Sequence, residues 1–215
     1  MANERCNEQL NYLLENCIWI NAYLAIWHKI DKNSDLEFLR HYYDLSTTIT
    51  KALIYSAIIA LSKIYDPNSS GANIISFLHS INSNKYFIES ENLKEIKDFA
   101  KKQEGELEEE ELKKLRKNLK SWRDKFYAHM DKDFLNDEIA LHQAYPINVQ
   151  EFETLLNFIK YTIERFFVLI NGSSPLDHVT LKCEKEMDLL VKRLEIDYQR
   201  HQQDLSLISQ IINGK

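Results

Sequence analysis

Glycine and proline are scarce in this 215-residue chain, 4 and 3 respectively. That is too few for the many turns an all-β fold requires, so helix is the default. Cysteine is equally sparse: Cys6, Cys17 and Cys183 are an odd set with no paired spacing. They exclude a disulfide framework and a paired-cysteine zinc site, and they fit a reducing cytoplasm. Long apolar runs are missing too. The longest, Ala52 to Tyr65, is interrupted by Ser62 and Lys63, is shorter than a membrane span, and reads as a buried helix. The first eight residues contain an acid and no apolar core, unlike a secretory signal. Net positive charge is also lacking. A charge of −6 and a pI near 5.7 oppose nonspecific coating of nucleic acid, so any such contact must come from a local basic patch. There is no glycine-rich phosphate loop and no His-Glu-x-x-His. His28, His41, His79, His142, His178 and His201 show no metal-ligand spacing, so neither a metal nor another cofactor is expected.

What is present is ordinary for a soluble globular protein: 44% hydrophobic and 28% charged residues, in a chain long enough to bury a core. Apolar residues recur at helical spacing. A first helix is predicted from about Glu4 to Ile30, with Leu10, Leu13, Leu14, Cys17, Ile20, Leu24 and Trp27 on one face. Cys17 sits among apolar neighbours and is expected to be a poor nucleophile. Ser34 and Glu37 have the form of a capping box for a second helix. That helix carries Leu39, Tyr42, Leu45, Ile49, Leu53, Ala57, Ala60 and Ile64 towards the core. Pro67 and Gly71 mark the clearest loop. Short helices follow at about Asn73 to Ile81 and Glu89 to Lys102, and a central helix begins near Glu106. A strongly amphipathic core helix starts at Val149, with Phe152, Leu155, Leu156, Ile159, Thr162, Ile163, Phe166, Phe167 and Ile170 in register. Asn171 to Pro175 is a connector, with Ser174 placed to cap and Pro175 to open the last helix. That helix carries a narrow seam through Cys183, Met187, Leu190, Leu194, Tyr198, His201, Leu205, Ile208 and Ile212. The chain reads as a single domain over residues 1–215. Its long C-terminal helix, 175–215, either packs back along the bundle or meets a partner chain.

The chemistry concentrates at the end of the central helix, in Trp122-Arg123-Asp124-Lys125-Phe126-Tyr127-Ala128-His129-Met130-Asp131. Arg123 is a permanent cation whose planar donors suit phosphate oxygens, and His129 can exchange a proton near neutral pH. With about 100° per residue, Leu112, Leu115, Leu119, Trp122 and Phe126 form a buried stripe, and Arg123 and His129 fall roughly 60° to either side of it. Side chains so placed diverge. A joint site needs either a distorted helix end or two copies packed across this face, with Phe126 central to the contact. Leading to Arg123 is a basic streak. Glu109 to Lys113 and Glu110 to Lys114 are favourable i,i+4 pairs that account for two of its lysines. Arg116, Lys117 and Lys120, with Lys125 beyond them, remain as candidate phosphate contacts. The bland alternative is that the strip is a solvated face, that Arg123 pairs with a carboxylate such as Asp131, and that His129 caps the helix end.

Arg123-Asp124-Lys125 followed by Ala128-His129 and Asp131 resembles the Arg-x(4 to 6)-His signature of HEPN domains. The fit is closest to the AbiU-like branch of phage abortive-infection proteins, a likeness strengthened by Ile64-Tyr65-Asp66-Pro67 and the short helix after it, and covering about Leu36 to Ile170. The resemblance implies an all-α, up-and-down helical bundle of HEPN type with long N-terminal and C-terminal helices. It also implies a cytoplasmic, metal-independent endoribonuclease of a toxin or abortive-infection system, built as a homodimer. In that scheme Arg123 holds the scissile phosphate of an RNA substrate, and His129 moves a proton as the 2′-hydroxyl attacks, leaving a cyclic phosphate. Asp124 orients one of them. An antitoxin protein is the further partner such toxins imply, although Asp131 stands where some HEPN toxins carry a tyrosine modified by a partner nucleotidyltransferase. The competing expectation is a non-catalytic binding or scaffold protein of the same fold.

Overall fold

The computed structural model describes residues 2–32, 43–68, 72–86, 88, 91–128, 143–173 and 179–212. Among the described residues the fold is all-α and of bundle type, with no strand. The helices are α1 (Ala2–Lys32), α2 (Tyr43–Tyr65), α3 (Ile74–Asn82), α4 (Leu93–Leu107), α5 (Glu110–Trp122), α6 (Val149–Asn171) and α7 (Val179–Ile212), and a π-helical turn, Arg123–Ala128, continues α5. They group into two compact units, Met1–Asn21 with Tyr55–Asp177 and Ala22–Ile54 with His178–Lys215.

The first unit is organised around α6. Asn148 caps it by accepting from the Glu151 amide, and the Glu151 carboxylate accepts in turn from the Asn148 amide. Gly172 ends it at φ 78°, a left-handed turn that glycine adopts without steric cost. Between these ends the predicted stripe is buried from Phe152 to Phe167. Phe166 meets Phe77 of α3 and Phe99 of α4 edge-on, with centroids 5.1 and 5.0 Å away. Each such pair adds about 0.5–1.5 kcal/mol beyond area burial. Leu10, Leu13, Cys17 and Ile20 of α1 are buried as their spacing predicts. Burial pushes the Cys17 thiol up to about 12 despite the opposing charge of Lys160. The core also holds a polar contact: the Thr162 hydroxyl donates to Gln103 Oε1 at 2.6 Å, and both side chains are fully buried.

In the second unit, Lys29 of α1 pairs with Asp188 of α7 at 2.7 Å. Tyr198 is buried there, with Val191 and Leu194 packed against it. Elsewhere on the predicted α7 seam Leu190, Leu205 and Ile208 are exposed, and the side chains of Cys183, Met187 and Ile212 lie outside those described. Leu45 and Ile49 of α2, expected in the core, are exposed as well. The buried reading of this helix holds for its C-terminal half, where Ala57, Ile58, Leu61, Ile64 and Tyr65 are covered. Taken whole, Asp44–Tyr65 is long and apolar enough to cross a membrane by length and composition, a span that the shorter run from Ala52 concealed. The expected caps at Ser34 with Glu37 and at Ser174 with Pro175 lie outside the described residues.

Candidate functional site

The site is assembled by the end of α2, the α4–α5 corner and the π-helical turn. Tyr65 closes α2, is buried, and donates from its hydroxyl to the Leu155 carbonyl of α6 at 2.7 Å. Burial raises its pKa well above the ordinary tyrosine value, so the hydroxyl stays protonated as a donor. Pro67 cannot continue the helix. Asp66, held between them, accepts from the Asn68 amide through Oδ1 at 3.0 Å and presents Oδ2 to the incoming arginine.

That arginine is Arg123. Its Nη1 donates to Asp66 Oδ2 at 2.7 Å and its Nε to Asp124 Oδ1 at 2.6 Å, with Nη2 2.5 Å from the same Asp124 oxygen. The side chains of Arg123 and Asp66 are only 16% and 11% exposed, so the pair is shielded from screening. Burial opposes charge on Asp66, but its hydrogen bond from Arg123, the Asn68 amide and the charges of Arg123 and Lys120 prevail, holding the carboxyl below its usual range. For Arg123 burial likewise works against charge, and the two carboxylates outweigh it and raise its pKa. Asp124, expected to orient the arginine or the histidine, is in contact with Arg123. Asp66 is a partner that local sequence does not announce: Tyr-Asp-Pro at a helix end says nothing about an arginine 57 positions later.

Winding decides the rest of the motif. Residues Arg123–Ala128 follow a π-helix, so the wheel that put Arg123 and His129 on opposite flanks stops applying after Trp122. His129 and Asp131 lie outside the described residues. The helix before the turn is braced from the far side, where Trp122 Nε1 donates to the Tyr145 carbonyl at 2.8 Å and Asn118 Nδ2 to the Pro146 carbonyl at 2.7 Å. Lys125 lies over the Tyr145 ring, 5.6 Å from its centroid.

The α4–α5 corner corrects the predicted start of the central helix. α4 runs on to Leu107 and α5 begins afresh at Glu110. Arg116 explains the break: its Nη2 donates to the Leu107 carbonyl at 2.6 Å, satisfying an acceptor that the end of α4 leaves open. Glu109 is therefore a cap residue, and Lys113 pairs with Glu108 at 3.4 Å in place of Glu109. Of the four residues proposed to touch RNA, Arg116, Lys117 and Lys120 line one cleft of about 410 Å³, and Lys125 is not among its lining residues. Among the described residues no group of three or more His, Cys, Asp or Glu side chains could hold a metal ion.

Residues 4–189 match the model of the HEPN-type AbiU2 family, which takes in most of α1 and the start of α7, beyond the stretch that carried the sequence resemblance. The chain belongs to the AbiU2 family of HEPN proteins. No curated protein and no solved structure matches it. AbiU2 membership points to a nuclease- or abortive-infection-related role, and it makes the Arg123 turn the part of the molecule on which function is argued.

Proposed function

We propose that this AbiU2-family chain is a metal-independent endoribonuclease of a cytoplasmic abortive-infection or toxin system, acting as a homodimer. The observation that carries the reading is Arg123 at the first position of a π-helical turn, following a basic helix. π turns are rare and occur frequently at functional sites. Three of the five N–H groups of Arg123 face carboxylates, and one on each terminal nitrogen has no acceptor among the described residues, which suits a phosphate oxygen. In the reaction Arg123 takes the scissile phosphate and the charge that grows on it. His129 removes the 2′-hydroxyl proton or delivers one to the departing 5′-oxygen. Attack of O2′ on phosphorus breaks the P–O5′ bond and leaves a 2′,3′-cyclic phosphate. Asp124 fixes the plane of the guanidinium. Removing a general acid or base costs about 10²- to 10⁴-fold, and removing a charge stabiliser about 10²- to 10³-fold.

The test is cleavage of total RNA in chelator by the wild type, Arg123→Ala and His129→Ala, with end-group analysis for cyclic phosphate. Wild-type fragments that disappear in both variants support the mechanism. Cleavage by all three, or by none, rejects it.

A second reading is favoured by one observation: Arg123 is already neutralised by Asp66 and Asp124. A binding or scaffold protein of this fold, partnering another defence protein or an antitoxin, would need nothing more from it. That protein would be inert towards RNA and would keep its partner on Arg123→Gln.

A further inference from the structure

The basic streak on α5 is not one surface. Arg116 turns inward, its side chain only 13% exposed, and besides its bonds to Leu107 and Glu108 it keeps a buried Nε–H that has no acceptor among the described residues. Lys117 and Lys120 stay exposed on the same cleft. Neither forms an ion pair within 4.0 Å among the described residues. The carboxylates that line the cleft are engaged: Glu108 by Lys113 and Arg116, and Asp66 by Arg123. Four cations line it against two carboxylates, so it carries a net charge of +2. The other wall is different in kind. Pro67 and Ile75 give it apolar surface, and Asp66 joins it directly to Arg123.

A cleft of about 410 Å³ falls within the range of small-ligand sites, roughly 300–1,000 Å³. One basic wall and one apolar wall match a molecule with an anion at one end and a ring at the other. We propose that this cleft binds one nucleoside phosphate of a nucleic-acid strand, adjacent to the phosphate that Arg123 would hold, with its phosphate against Lys117 and Lys120 and its ring against Pro67 and Ile75. The strand's role rests on the ribonuclease reading above; binding in the cleft does not. The free mononucleotide has the same chemistry, and competition separates the two sources.

The experiment is calorimetric titration of the full chain with 5′-AMP, inorganic phosphate and a 2′-O-methyl oligoadenylate, which has no hydroxyl to attack. Lys117→Ala/Lys120→Ala is compared with Lys114→Ala, which removes a lysine from the same helix that lines a neighbouring depression instead of this cleft. AMP should bind saturably and at least about fivefold more tightly than phosphate. The double variant should lose about tenfold or more in affinity, and Lys114→Ala less than twofold, because charged hydrogen bonds are local. The oligoadenylate should displace AMP. No saturable AMP binding, equal losses in the two variants, or phosphate binding as tightly as AMP would overturn the site. AMP that the oligonucleotide fails to displace would overturn its assignment to a strand. Binding and displacement without cleavage by the wild type would remove the ribonuclease reading and leave the cleft; cleavage without AMP binding would do the reverse.

Discussion

Arg123 is held by two carboxylates, and removing them one at a time measures how much each contributes. In Asp66→Ala the guanidinium, 16% exposed, keeps Asp124 as a counter-charge, so the full penalty for an orphaned buried charge, about 3–5 kcal/mol, is not incurred. Loss of one largely buried charge-assisted contact, with the Asn68 amide left to water, should cost about 2 kcal/mol. For a chain of this size that is a fall in Tm of about 4–8 °C. Asp124 is a third exposed, and Asp124→Ala should cost only about 1 kcal/mol. The double variant leaves Arg123 with neither carboxylate and should cost about 4 kcal/mol, some 1 kcal/mol more than the sum. Urea denaturation at pH 7 of the four proteins in the cycle, followed by helical circular dichroism, reads these differences. Additivity to within about 0.3–0.5 kcal/mol would refute the idea that the two carboxylates share one cation.

The Asp66 contribution also has a pH signature. Its carboxyl is depressed in the folded protein, so the stability it adds is complete above the unfolded value of about 4 and is lost as pH falls through the lower folded value. The gap between wild type and Asp66→Ala should thus be flat from pH 5 to 7 and narrow below about 4; a gap that opens with acid contradicts the assignment. Asn148→Ala removes the side-chain half of the α6 capping box, the bond from the Glu151 amide, and should cost about 1 kcal/mol by the same urea measurement, with Asn148→Ser close to neutral. Thr162→Val leaves buried Gln103 Oε1 short of its donor at a cost of about 1–3 kcal/mol, and adding Gln103→Leu should recover part of it. Cys17, fully buried with its thiol pushed up to about 12, should resist a water-soluble disulfide reagent at pH 8 until urea unfolds the chain.

The two readings of Arg123 differ in what must happen to Asp66. A phosphate entering beside the guanidinium meets a carboxylate already in place at 2.7 Å. An enzyme must either share the guanidinium, using the two N–H groups that bond neither Asp66 nor Asp124, or displace Asp66. Because Asp66 is fixed by the buried Tyr65 hydroxyl on one side and Pro67 on the other, sharing asks for less rearrangement of the backbone.

The sequence by itself determined whatever depends on local period and local composition. Scarce glycine and proline, and apolar residues at steps of three and four, dictated the helices, the buried stripes of α1 and α6, and the arginine motif at the end of a basic helix. It could name Asp66 as a helix-end residue and Arg123 as a phosphate-binding candidate, each from its neighbours. Only the tertiary structure brought them to 2.7 Å, turned Arg116 onto the end of α4, and wound the motif into a π turn. Those outcomes depend on contacts between residues far apart in the chain and on which carbonyl a helix end leaves unsatisfied, and periodicity records neither. The exposed apolar residues of α2 and α7 make the same point: an apolar stripe states that burial is favourable, and only the tertiary structure decides how much of it is covered.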